Sequence, residues 1–154
     1  MFTDRLKTLL GFKRQVEDAA AQALSQATAA RVRAEGAEAA LADALVEARN
    51  ALRAQRNRVP EGPERASDAA LRQRFAARLT DRAQACAQRL EEHRQAVLEP
   101  ARRAEEQARG RHLGARQDRE VIEKHREDQR AAAAKQAERK LEAEQDDRGP
   151  RGGK

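Results

Sequence analysis

Apolar residues in the first third of the chain recur at helical intervals. Between Leu6 and Ala48 they are separated by steps of three and four residues, and Lys13 fills the one gap. This heptad spacing is typical of a helix that packs along one side against another helix. We therefore predict a helix over about residues 3–58, with interface positions at Leu6, Leu9, Val16, Ala20, Ala23, Ala27, Ala30, Ala34, Ala37, Leu41, Ala44 and Ala48. From Leu41 onward a second series also fits the spacing and implies a small register shift near the turn: Leu45, Ala48, Leu52, Gln55 and Val59.

The pattern is broken at Val59-Pro60-Glu61-Gly62-Pro63, where two prolines bracket a glycine and a helix cannot continue. This segment predicts a turn over residues 59–65. A second helix, capped by Ser67 or Asp68, is predicted from about residue 66 to residue 145, and residues 146–154 are predicted to be a disordered tail. The predicted apolar face of this helix comprises Leu71, Phe75, Leu79, Cys86, Leu90 and Val97.

These elements predict an all-α fold in which residues 1–147 form one long antiparallel two-helix coiled-coil hairpin. A turn centred near residue 61 places residue i opposite about residue 123 − i, so that Leu52 meets Leu71. With that pairing, the N-terminus of helix one lies opposite residues near Val121. About 24 residues of the second helix then extend beyond helix one without a partner. Pro100, in the middle of the second helix, is predicted to kink it.

Composition and charge narrow the fold and the function further. Charged residues make up 38% of the 154 residues and aromatic residues 2%, which excludes a thick globular core and makes strands unexpected. The net charge of +6 makes nucleic acid a candidate partner. However, the 32 basic residues are interleaved with 26 acidic ones, which favours a solvated helix surface over a specific nucleic-acid site.

We expect no catalysis, because two paired helices form no concave site that could desolvate reacting groups. His93, His112 and His125 fit no spacing of metal ligands, and Cys86 lies on the apolar face of the second helix. The glycines form no phosphate-binding loop, so neither a metal nor a cofactor is predicted.

The N-terminal residues carry charges where a signal peptide would be apolar. No stretch approaches the run of about 20 apolar residues that spans a membrane. A cytoplasmic protein without direct membrane insertion is expected.

Residues Phe2 to Ala30 resemble the opening helix of a known family. The similarity lies in Leu9-Leu10, Phe12-Lys13-Arg14, Glu17-Asp18 and the series Ala20, Ala23, Leu24 and Ala27. The family is that of the flagellar export stalk protein FliJ and its type III secretion relatives of the YscO/SctO type. The length, the turn near residue 60, the longer second helix and the charged stretch Glu138–Asp147 agree with it, whereas the final Gly-Pro-Arg-Gly-Gly-Lys departs from the family's acidic ending.

The resemblance implies a bacterial central-stalk protein that couples a hexameric secretion ATPase to an export gate at the inner membrane. It also implies contacts with secretion chaperones, and it covers both flagellar and virulence-type systems. The expected partner-binding residues lie at the open end of the hairpin: Leu6, Leu9, Leu10, Phe12, Val121, Ile122 and Leu141. The residues alone leave two other classes open, a coiled-coil scaffold or peripheral-stalk subunit and a basic helical hairpin that binds nucleic acid.

Overall fold

The structure, a computed structural model, describes residues 2–60 and 62–147, and the side chains of residues 5–60 and 62–145. It contains helix α1 (Phe2–Arg56), helix α2 (Ala66–His93), a π-helical segment (Arg94–Leu98) and helix α3 (Glu99–Asp147). The described residues include no strand, so the predicted all-α helical hairpin fold is confirmed. Residues 146 and 147 of the predicted tail end α3, and residues 148–154 lie outside the described residues.

Helix α2 begins at the predicted residue, whereas the end of α1 and the cap of α2 differ from the prediction. Helix α1 stops at Arg56, before the proline-containing segment, and Arg65 precedes α2 in an extended conformation with φ −71° and ψ 146°. No side chain caps α2, because the helix begins at Ala66 and therefore includes both predicted caps, Ser67 and Asp68, in its first turn. Asp68 still lies where a negative charge favours a helix N-terminus.

The chain divides into two compact units, which we describe separately. Unit 2 is Leu24–Ala108, a helical hairpin in which α1 runs antiparallel to α2 and the start of α3. Unit 1 combines the residues up to Ala23 with those from Arg109 onward, so that the beginning of α1 lies antiparallel to the rest of α3. A single coiled-coil domain over residues 1–147 stays a prediction.

The buried and half-buried residues of α1 reveal which positions face the neighbouring helix. They recur with alternating steps of four and three, the period of a coiled-coil interface. These interface positions are Leu6, Leu10, Lys13, Glu17, Ala20, Leu24, Ala27, Arg31, Ala34, Glu38, Leu41, Leu45, Ala48, Leu52 and Gln55.

One half of this pattern was predicted and the other half was displaced by one residue. The predicted set that includes Ala34 and Ala48 is confirmed, and both residues are almost fully buried. In the other predicted set Leu9, Val16, Ala23 and Ala37 are exposed and the residues that follow them occupy the interface, whereas Ala30 and Ala44 are half-buried. The cause of the displacement is that several true interface positions carry charged side chains, which an apolar pattern passes over. The second predicted series is confirmed at Leu45, Leu52 and Gln55, and it is wrong at Val59, which is exposed.

The helices that follow the turn, α2 and α3, have the same period of interface positions with one interruption. Its interface positions are Ala69, Arg72, Ala76, Leu79, Ala83, Cys86, Leu90 and His93 in α2, and then Leu98, Ala101, Glu105, Ala108, His112, Ala115, Arg119, Ile122, Arg126 and Gln129. Within this series Leu79, Cys86 and Leu90 confirm the predicted face. Leu71 and Phe75 correct it, because both are at least half exposed and Arg72 and Ala76 take the interface positions beside them.

The interruption is the π-helical segment, which adds one residue to the period. From His93 the next interface position is five residues away, at Leu98, so Leu98 is 2% exposed and the predicted Val97 is 45% exposed. The backbone N–H of Glu99 donates to the carbonyl oxygen of Arg94, the wider bonding of a π-helix. Pro100 follows immediately and has no N–H of its own to donate. The disturbance beside Pro100 is a π-helical segment, and the predicted kink stays a prediction.

The pairing of the helices in unit 2 also differs from the prediction that residue i lies opposite residue 123 − i. His93 Nε2 lies 2.9 Å from the carbonyl oxygen of Ala34, and Arg94 Nε donates to Glu38 at 2.6 Å. The rule placed Ala34 opposite residue 89 and Arg31 opposite residue 92, yet Arg31 bonds Glu105. Each of these contacts joins α1 to a residue further along the chain than the rule predicts.

A polar cluster lies within the interface of unit 2. Glu105, 8% exposed, accepts hydrogen bonds from Thr28 Oγ1 at 3.1 Å and from Arg31 Nε at 2.5 Å. Arg31 also donates to Glu35 through Nη1. The Oε1 atom of Glu35 lies 3.5 Å from Arg102 Nη2. The carboxylates of Glu35 and Glu105 raise the pKa of Arg31. A buried carboxylate is thus held by a guanidinium and a hydroxyl, the arrangement that makes burial of charge tolerable.

None of the described helices contains a stretch that is both long enough and apolar enough to cross a membrane.

Candidate partner-binding surface

Ion pairs align the two helical segments of unit 1. Lys13 Nζ lies 2.6 Å from Asp118 Oδ2, and Arg14 Nη2 lies 2.8 Å from Glu123 Oε1. Arg119 donates to Glu17 on α1 and to Glu123 on its own helix. Lys13, Glu17 and Arg119 all occupy interface positions, so the charged residues that interrupt the apolar pattern are paired across the helices.

These contacts fix the ionisation of the groups involved. The hydrogen bond from Arg14 and the nearby charge of Arg119 lower the pKa of Glu123. The hydrogen bond to Glu17 raises the pKa of Arg119. Both shifts favour the charged forms, so this part of the interface is an ionic contact over a wide range of pH.

One side of α1 exposes apolar side chains beside this interface. Leu9, Phe12 and Val16 follow each other at steps of three and four residues, and Phe12 is 57% exposed. Residues with that spacing lie along one face of a helix. Leu9 and Phe12 line a shallow hollow together with Arg5 and Thr8. A contiguous exposed apolar strip of this kind is typical of a protein-binding surface.

A groove lies between the start of α1 and α3. Its volume is about 430 Å³, and its lining includes Leu6, Arg126, Gln129, Arg130, Ala133 and Gln136. Leu6 is the α1 residue in this lining, and the others come from the last third of α3. Every described side chain from Arg130 to Gln145 is exposed. The segment of α3 without helical cover therefore begins near residue 130, later than the predicted pairing implied.

The structure separates the seven predicted partner-binding residues. Leu6, Leu9 and Phe12 line the groove and the hollow of unit 1. Leu10 is 3% exposed and Ile122 is half-buried, so both pack in the helix interface, and Leu10 is not available to a partner. Val121 and Leu141 are exposed on α3, and neither lines the groove.

Three residues of this surface were missed by sequence reasoning. Val16 was assigned to the interface, and Arg126 and Arg130 were treated as part of a solvated charged face. The signal for Arg126 was the continuing heptad: Arg126 and Gln129 end the covered interface of α3, and the same period continues to Ala133, Gln136 and Lys140. Arg130 lies next to Gln129 and outside this series, so the heptad gave no signal for it.

The described residues contain no group of three or more His, Cys, Asp and Glu side chains that could hold a metal ion. In unit 2, His93 contacts a backbone carbonyl oxygen, and Cys86 is a half-buried thiol of the interface. The exposed features of unit 1 are an apolar strip and a groove with basic residues at its edge. Their chemistry suits the binding of another polypeptide.

Comparison with protein-family models, with curated proteins and with solved structures finds no match. The features of this chain that bear on its function are therefore the exposed surface of unit 1 and the resemblance carried by residues 2–30.

Proposed function

We propose that the chain is a central-stalk component of a bacterial type III protein export apparatus, flagellar or virulence-type, which couples the secretion ATPase ring to the export gate. In this role it is a cytoplasmic protein that associates peripherally with the inner-membrane apparatus. The ATPase contacts unit 1 through the exposed strip Leu9, Phe12 and Val16. The gate protein and the secretion chaperones are its further partners.

The observation that carries the proposal is the position of this apolar strip. It lies within residues 2–30, the segment whose sequence resembles the opening helix of the FliJ family, and it remains exposed although the adjacent Leu10 is buried. Apolar side chains that the helix interface leaves uncovered are available to a partner. Two helices cross-linked by ion pairs also provide a stiff support for such a contact.

Ion pairs neutralise part of the basic charge of the described surface, and this part favours a protein partner over nucleic acid. Arg14, Arg31, Arg94, Arg116 and Arg119 each lie within 2.8 Å of a glutamate carboxylate. Guanidinium groups that are neutralised by carboxylates contribute little to phosphate binding, which depends on unpaired basic charge.

The direct experiment mixes the purified chain with a purified hexameric type III secretion ATPase from the same organism and measures both association and ATP hydrolysis. We expect association and stimulated hydrolysis, and the double substitution Leu9→Ser/Phe12→Ser should abolish both. Phe75→Ser is the matched control, because Phe75 is 50% exposed in α2 of unit 2 and lies outside the proposed contact. Failure of the unsubstituted chain to bind the ATPase would refute the proposal.

A further inference from the structure

We infer that the segment Arg130–Ala143 of α3, together with Leu6, binds an acidic amphipathic helix of the partner protein. This inference names the chemistry of the partner and rests in that respect on the proposed function. It is based on the groove of unit 1, whose lining contains none of the residues of the apolar strip Leu9, Phe12 and Val16.

The groove continues an established helix interface. Ile122, Arg126 and Gln129 are interface positions that α1 partly covers, and the same alternation of three and four residues continues to Ala133, Gln136, Lys140 and Ala143. These later positions are all exposed. A helix whose interface pattern continues along an exposed surface presents the same kind of face to a second helix as it does to α1.

The side chains on this face suit close packing by a helix. Residues 131–134 are four consecutive alanines, followed by Ala137 and Ala143. Small side chains let two helix axes approach to about 8 Å, so that larger apolar residues of the incoming helix can fill the space between them. Leu6 supplies an apolar wall at the end of the groove where α1 begins to cover α3.

The charge of the occupant follows from the charges at the edge of the groove. Within Arg130–Ala143 four residues are basic and two are acidic: Arg130, Lys135, Arg139 and Lys140 against Glu138 and Glu142. Arg126 and Arg130 line the groove itself.

Elsewhere in the molecule, charged interface residues are matched by the opposite charge on the facing helix. Arg119 pairs with Glu17, and Glu105 pairs with Arg31. By the same rule, a helix seated in the groove carries Asp or Glu opposite Arg126, Arg130 and Lys140. The occupant is thus a helix with apolar residues on one face and carboxylates along its flanks.

The test uses two synthetic fluorescent helices of about 21 residues, or three heptads, with Leu and Ala on one face. One carries Glu at the flanking positions and the other carries Lys. Fluorescence anisotropy with the full chain at about 0.15 M salt, where exposed charges are screened beyond about 8 Å, compares their affinities. We expect the Glu helix to bind at least about tenfold more tightly than the Lys helix.

Two substituted chains locate the binding. Arg126→Glu/Arg130→Glu should remove the preference for the Glu helix or reverse it. Arg33→Glu/Arg49→Glu changes the net charge equally at exposed positions of unit 2, and it should leave the preference unchanged. Ala133→Gln fills the groove without a change of charge in a residue type that favours helix, and it should weaken binding of the Glu helix. Circular dichroism verifies that each variant remains helical.

Equal binding of the two helices, no binding of either, or equal losses in both charge-reversal variants would overturn the inference. So would a dimer of the full chain that Ala133→Gln dissociates, because the occupant would then be a second copy. The outcome is separate from that of the proposed function. If the Glu helix binds but the ATPase does not, the proposed function fails and the docking surface remains; if the ATPase binds but the Glu helix does not, the reverse holds.

Discussion

Arg31 Nε donates a hydrogen bond to Glu105 Oε2 across the helix interface of unit 2, although 74 residues separate the two along the chain. Both residues occupy positions of the heptad pattern, where an apolar residue is the usual choice. Their pairing shows that the chain specifies its helix alignment partly through charge. The alanine-rich interface offers many similar apolar alignments, whereas the carboxylate of Glu105 is satisfied in one.

The first prediction concerns this pair. Glu105→Ala should lower the free energy of unfolding by about 1 to 3 kcal/mol, because it removes hydrogen bonds from Arg31 and Thr28 to a buried carboxylate. Glu92→Ala is the matched control at an exposed position of α2 and should change stability by less than about 0.5 kcal/mol. Urea unfolding followed by circular dichroism measures both. Equal stabilities of the two variants would show that the pair contributes nothing to the alignment.

A second prediction concerns the apolar interface. Leu98→Ala should destabilise the chain by about 2 to 5 kcal/mol, the range for a leucine truncated in a packed interior. Leu141→Ala removes the same atoms from a residue that is 58% exposed, and it should change stability by less than about 0.5 kcal/mol. Thermal unfolding of the two variants would contradict the interface described here if Leu141→Ala were the more damaging substitution.

The π-helical segment permits a third prediction, based on deletion of a residue. Removing Ala96 in a Pro100→Ala background should produce a continuous α-helix with Leu98, Glu105 and Ala108 still in the interface, because the extra residue of the segment is the one removed. The thermal midpoint should stay unchanged or rise, since proline in a helix costs about 3 kcal/mol.

Deletion of Gln107 in the same background is the control for this experiment. It rotates the later part of α3 by about 100°. The later interface residues then turn away from the interface, which exposes Ala115 and separates Arg119 from Glu17. The thermal midpoint should therefore fall well below that of the Ala96 deletion. A greater loss from the Ala96 deletion would show that the π-helical segment is not the source of the extra residue.

The fourth prediction concerns the stability of unit 1 at acid pH. The folded pKa of Glu123 lies below its ordinary value of about 4.5, mainly because of Arg14. A lowered carboxyl pKa means that the stabilising contribution is complete above the unfolded pKa and is lost as the pH falls through the folded one. Hydrogen exchange of residues 109–129 should therefore speed up as the pH falls below about 4.5, after correction for intrinsic exchange rates. Glu123→Gln should remove this part of the pH dependence, and an identical dependence in the variant would contradict it.

The sequence predicted the helical fold and the position of the turn, because prolines and heptad spacing are local signals. Before Leu41 it predicted one of the two interface positions per heptad of α1, and from Leu41 onward it predicted both, because Leu45 and Leu52 are apolar. The position that it missed carries Glu17, Arg31 and Glu38, whose partners are distant in sequence. The apolar pattern pointed instead to the preceding residues, Val16, Ala30 and Ala37. Similarly, Pro100 signals a disturbed helix, but the added residue of the π-helical segment is determined by packing on both sides of it.

The candidate surface was predictable to a similar extent. Leu6, Leu9 and Phe12 were identified from their place at the beginning of α1. Leu10 was not separated from Leu9, because the choice between them depends on the true interface positions. The groove on α3 depends on how far α1 covers that helix in unit 1, and this in turn depends on ion pairs such as that of Glu17 with Arg119.

The most direct test of the proposed stalk function is hydrogen exchange of the full chain, measured alone and in the presence of the hexameric secretion ATPase. Free in solution, residues 130–145 should exchange quickly, because an exposed helical segment of this length is only marginally stable in water. With the ATPase bound, protection should increase in residues 5–16 and 130–145 and remain unchanged around Glu105 in unit 2. Unchanged exchange in both segments of unit 1 at saturating ATPase would contradict the proposed function.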